Sequence, residues 1–125
     1  MDNYDIKGID LTDMQIERQL KKIRALIFDG YETYEDGSYK GEVKFEVLNI
    51  LKKHMPEEDE VGDIMFLKMV KDAAVEITVY ILDNLTGIDK RLASLYSYDF
   101  TNQSYNSIYS VGLIYKEDED NPMYG

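Results

Sequence analysis

Residues 64–85 read IMFLKMVKDAAVEITVYILDNL, and the spacing of their apolar side chains decides the fold. Leu67, Val70, Ala74, Ile77, Ile81 and Leu85 recur at helical intervals and form one stripe, which Phe66, Met69, Ala73 and Tyr80 widen. A stripe this broad predicts a central helix, packed on two sides, over about 63–85. Thr86-Gly87 follows with a glycine suited to a helix C-terminus. The β-branched run VEITV at 75–79 resists helix, yet the period holds through it. Lys68, Lys71, Asp72, Glu76 and Asp83 interrupt the stretch, so it does not read as a membrane span.

Upstream, PEEDEVGD at 56–63 is an acidic connector that brings carboxylates to the start of this helix, where the macrodipole favours them. In the segment before it, two patterns fit. Val43, Phe45 and Val47 alternate like a strand, while Val43, Val47, Ile50, Leu51 and His54 share a helical face. The helical pattern runs further, so a helix is expected, and a hairpin over 31–54 stays open. Residues 31–41 (YETYEDGSYKG) suit a loop or short hairpin, with Asp36-Gly37 as a tight turn. Nearer the N-terminus, Thr12 and Gln15 have capping-box spacing, and Ile16, Leu20, Ile23 and Ile27 follow on one face. A helix over 13–28, stopped by Gly30, is expected.

Downstream, Ile88, Leu92 and Leu95 predict a short helix over 88–98. DFTNQSYNS at 99–107 reads as a turn, and Tyr109, Val111, Leu113 and Tyr115 alternate as a strand over 108–115. The expected architecture is a single, mainly α domain of about four helices with a C-terminal β-strand or hairpin arm. Residues 1–10 form an extension, 13–98 the helical body, and 99–125 a Tyr-rich arm with an acidic tail.

Composition removes most chemistry. The 125 residues hold 25 acids and 14 bases, a net charge of −11. That balance opposes binding to nucleic-acid backbone, which needs clustered Lys and Arg, and to anionic membranes. With no cysteine, disulfides, thiolate nucleophiles and cysteine metal sites are out. His54 is the single histidine, too little for a zinc site or a spaced triad. An EF-hand loop built around Gly37 or Gly62 would put Val43 or Lys68 where its bidentate Glu belongs. No Gly-rich phosphate loop is present. No catalytic, metal or cofactor residues are therefore assigned, and an enzyme is not expected. No signal-peptide pattern is visible either.

Tyrosine is left. Of eleven, Tyr96, Tyr98, Tyr105, Tyr109, Tyr115 and Tyr124 lie in the last third. Tyrosine joins apolar area to a polar tip and is enriched in protein interfaces, which makes these residues the candidate interface.

Four further pieces belong together: VLNILKK at 47–53, EEDE at 57–60, FLKMVKDAAVEITVYI at 66–81, and Thr86-Gly87. A short helix ending in basic residues, an acidic connector, and a longer helix with a central Ala-Ala closing on Thr-Gly resemble the small head–tail connector (adaptor) proteins of tailed phages. QSYNSIYSVGLIYKEDEDNP at 103–122 is similar to that family's Ser/Tyr/Gly-rich C-terminal arm. Residues 1–40 have no counterpart in its short members, and LASLYSYDF at 92–100 lacks the usual Arg and Gly. The resemblance implies a non-enzymatic, homo-oligomeric ring subunit in the virion or host cytoplasm. Its protein partners would be the portal or a neighbouring ring, and an acidic lumen would let DNA slide without sticking. The charge alone also suits an acidic inhibitor, such as a toxin-immunity or anti-defence protein, on a basic target.

Overall fold

The computed structural model describes residues 9–37 and 39–120, with side chains up to Tyr109 in the last helix. Its elements are α1 (Asp13–Ile27), β1 (Phe28–Asp29), β2 (Glu42–Val43), α2 (Phe45–Lys53), α3 (Asp63–Asn84) and α4 (Lys90–Asp120). The chain is mainly helical, with one small antiparallel sheet.

α1 starts where its sequence says. Thr12 Oγ1 accepts from the Gln15 amide at 3.1 Å, and Gln15 Oε1 accepts from the Thr12 amide at 2.9 Å. Ile16, Leu20, Ile23 and Ile27 are all buried. The helix does not end on a glycine, however. It passes straight into β1, and Gly30, at φ 62°, turns the chain after that strand.

Over 31–54 a short hairpin precedes a helix, and of the expected strand alternation only Val43 lies in a strand, while Phe45 and Val47 are helical. Phe28 pairs with Val43 and Asp29 with Glu42, so a hairpin comes first. Its tip is the expected turn, with Gly37 at φ 92° donating to the Tyr34 carbonyl at 3.0 Å. Gly41 lies so close to β1 that a Cβ there would collide with the Asp29 carbonyl oxygen. α2 then begins at Phe45, and its apolar face buries Val47 and Leu51.

The connector at 56–62 is anchored by Val61, which is buried. α3 matches its expected span, but its buried face is rotated from the expected stripe. Met69, Val70, Ala73, Ala74, Ile77 and Ile81 are buried, whereas Leu67, assigned inward from sequence, is 58% exposed.

α4 brings the largest correction. The helix expected to end at 98 runs through Asp120, so the turn expected at 99–107 is helical, as are Ile108 and Tyr109 at the start of the expected strand. Asp, Asn and Ser favour turns by bonding nearby backbone, but here burial prevails. Leu92, Ala93, Tyr96, Ser97, Phe100, Thr101, Tyr105 and Tyr109 form one buried helical face. Ser104 Oγ donates to the Phe100 carbonyl at 2.8 Å, within the helix. The side chains that would define the rest of the strand, Val111 to Tyr115, lie outside the described side chains, and the tail from 121 lies outside the described residues.

α3 and α4 are joined by residues 85–89 and form the most extensive helix pair. Asp89 caps α4, its Oδ1 accepting from the Arg91 amide at 2.9 Å and the Leu92 amide at 3.2 Å. Gln19 of α1 holds Asp89 in place, its Oε1 accepting from the Asp89 amide at 2.8 Å.

Ala74 is 6% exposed on the packed side of α3. Ala74→Asp buries a carboxylate without a partner and is expected to cost about 3 kcal/mol or more. Urea unfolding followed by far-UV circular dichroism checks it, and a variant as stable as the parent would refute the core assignment.

Candidate interaction surface

The tyrosines of the candidate interface divide by burial. Tyr96, Tyr105 and Tyr109 are at most 7% exposed and belong to the core. This corrects their assignment as partner-facing residues. Tyr96 stacks on Phe100 with ring centroids 6.1 Å apart. Tyr105 meets Phe66 edge-on, and its hydroxyl donates to the Leu51 carbonyl at 2.6 Å, tying α4 to the end of α2. Burial raises the phenol pKa of Tyr105, and also that of Tyr109, where the charges of Glu58 and Asp59 add to the effect. Both rings act as neutral core side chains. Tyr98, 41% exposed, remains on the surface. Tyr115 falls outside the described side chains and Tyr124 outside the described residues. The spacing from Tyr96 through Phe100 to Tyr105 and Tyr109 is the signal that could have marked a buried helical face.

Exposed apolar area collects instead on α3. At about 100° per residue, Ile64, Leu67, Val75 and Val79 project from the side of α3 away from Ala73. Ile64 is 86% exposed, Leu67 58%, Val75 57% and Val79 52%. Lys71 lies among them and is exposed. A soluble surface helix normally presents charge on this side. The sequence signal was present in Ile64, Val75 and Val79, apolar residues off the expected stripe, but which side they occupy is decided only by the packing.

Two polar features flank this body. His54, at the end of α2, lies 2.6 Å from Glu76 Oε2, and Lys53 Nζ lies 3.0 Å from the same oxygen. An ionised carboxylate only accepts, so His54 Nε2 donates. The bond from Lys53, reinforced by His54, holds the Glu76 carboxyl below its ordinary pKa despite partial burial. This cluster clamps α2 to α3. On the other side, Asp29, Glu42, Lys44, Phe45, Glu46 and Leu48 line an open groove of about 460 Å³, with Phe45 71% exposed at its edge.

Among the described residues no group of three or more His, Asp and Glu side chains could hold a metal ion, and no helix is long and apolar enough to cross a membrane. No protein-family model, curated protein or solved structure matches the chain.

Tyr105→Phe leaves the Leu51 carbonyl without its donor and is expected to lower stability by about 1–2 kcal/mol, read as an earlier urea midpoint. Glu76 gives a pH test. Because its folded pKa is depressed, its stabilisation is present above the unfolded carboxylate range and is lost as pH falls through the folded value. The stability margin of the parent over Glu76→Gln should therefore be larger at neutral pH than in acid. Urea midpoints of both chains at each pH measure it.

Proposed function

We propose that this chain is a non-catalytic structural subunit that works by docking on other proteins, in the manner of a phage head–tail connector. The outer face of α3 carries this reading. Ile64, Leu67, Val75 and Val79 are exposed on one side of the helix, around Lys68 and Lys71, and exposed apolar area gathered on a small domain marks a protein contact. The same helix lies within the 47–87 pattern that resembles the connector family. In such a ring this face covers a neighbouring subunit, and the C-terminal end of α4 with the tail after it reaches the portal or an adjacent ring. The net charge of −11 favours a channel wall that DNA passes without binding.

A second reading, an acidic inhibitor of a basic protein, draws on the groove beside Phe45. Asp29, Glu42 and Glu46 line it together with Lys44 and the exposed Phe45 ring, and the net acidic lining beside an aromatic ring suits a cationic side chain. Salt separates the two. Association steered by charge slows steeply with ionic strength, whereas apolar docking does not.

The connector reading is tested by mixing the full chain with purified portal rings and examining particles by negative-stain microscopy. An added ring of density is expected with the parent and lost with Leu67→Asp, a surface change that leaves the fold intact by circular dichroism. No density with any portal, or density unaffected by Leu67→Asp, counts against it.

A further inference from the structure

The hairpin leaves one edge of β2 open. Phe28 pairs with Val43 and Asp29 with Glu42, and the Lys44 amide donates to the Ile27 carbonyl at 2.9 Å. Residues of an antiparallel ladder alternate between bonding the partner strand and turning away from it. Ile27 and Lys44 are bonded across the ladder, so the Val43 N–H and C=O turn away from β1. No main-chain partner meets them among the described residues, and Val43 lines the groove beside Phe45. The charges at this edge oppose one another. Asp29 and Glu42 stand directly opposite across the strands, a placement that costs a hairpin stability when both are ionised. Both are exposed, as is Glu46, and none of the three is ion-paired among the described residues. Three carboxylates thus share the groove with one ammonium, that of Lys44.

We propose that the outer edge of β2 takes an extended, basic segment of a partner protein as a third strand. The inference rests on the reading of this groove as the seat of a basic partner, and adds how that partner is held. Main-chain pairing at Val43 fixes the register of the segment, and its alternate side chains then share one face. On the face that carries Glu42 and Asp29, an arginine or lysine meets both carboxylates and relieves the repulsion between them. Phe45, 71% exposed beside them, offers a ring that attracts a further cation. An apolar segment would leave the opposed carboxylates uncompensated, and an acidic one would add to their repulsion, so the charge of the groove selects a basic occupant. The free edge is short. Charge therefore supplies the attraction, and the pairing at Val43 supplies the orientation.

Fluorescence anisotropy of a labelled peptide of alternating Arg and Thr, titrated with the full chain, tests this. Binding is expected, and Glu42→Lys should weaken it about five- to tenfold, because an attraction becomes a repulsion. That variant sets a lysine opposite Asp29 and should keep its fold by circular dichroism. Glu57→Lys makes the same change of net charge on the connector, where Glu57 is exposed, and should leave binding within about twofold. Of two peptides N-methylated at alternate residues, one should bind about fivefold more weakly, for one lost hydrogen bond. The other should bind like the parent peptide, since a strand turns only every second N–H to its neighbour. No binding, or equal weakening by Glu42→Lys and Glu57→Lys, overturns the proposal together with the groove as a seat for a cation. Weakening by Glu42→Lys alone, with the two N-methylated peptides binding alike, overturns the strand pairing and leaves the acidic groove standing.

Discussion

The packing of α3 on α4 is the constraint from which the rest of the molecule follows. Val70, Ala73, Ala74, Ile77 and Ile81 face a helix whose buried side is built from Leu92, Ala93, Ser97 and Thr101, with larger rings at Tyr96, Phe100 and Tyr105. Small residues let two helices approach closely, and the rings fill the space beyond them. Each other element is tied to this pair by an identifiable link. α2 is held by the Tyr105 hydroxyl on Leu51 and by Glu76 between Lys53 and His54. α1 is held by its apolar stripe and by Gln19 on Asp89. The hairpin reaches the pair through Phe28, whose ring meets Phe100 edge-on at 5.7 Å.

This arrangement explains where the surface is apolar. α3 spends one side on the core, and its opposite side is left facing water with Ile64, Leu67, Val75 and Val79. Nothing in the fold requires apolar residues there, since polar side chains would serve the helix as well. Burying them against another protein returns a hydrophobic gain that the single chain forgoes. The tyrosines have the opposite history. Tyr96, Tyr105 and Tyr109 fill the interior with their rings, and the Tyr105 hydroxyl also caps the Leu51 carbonyl.

The charged groups act in a different way. Among the described acids, Glu32 pairs with Lys40 and Asp72 with Lys68 at the surface. Glu76 differs, because a lysine and the only histidine converge on it from α2. The cluster is a clamp between two helices. A single imidazole hydrogen-bonded to a carboxylate is also a familiar arrangement for proton transfer, but here it sits where two helices meet and is accounted for by that contact.

Local patterns by themselves determined α1, from its cap to its last buried isoleucine, and the extent of α3. In both, the apolar period fixes the span within a few residues of sequence. They also carried the turn at Asp36-Gly37 and the helical reading of α2, whereas the strand alternation over Val43, Phe45 and Val47 gave way to helix from Phe45. The length of α4, the inward place of Tyr96, Tyr105 and Tyr109, and the outward place of Leu67 were decided by tertiary structure. Residues 99–107 favour a turn when read alone, and only the apolar surface of α3 beneath them tips the balance to helix. Leu67 follows the same period as Val70 and Ala74, and only the direction from which α4 and α2 approach determines which side of α3 is covered. Period and capping depend on neighbours along the chain, whereas burial depends on what the rest of the chain brings to each face.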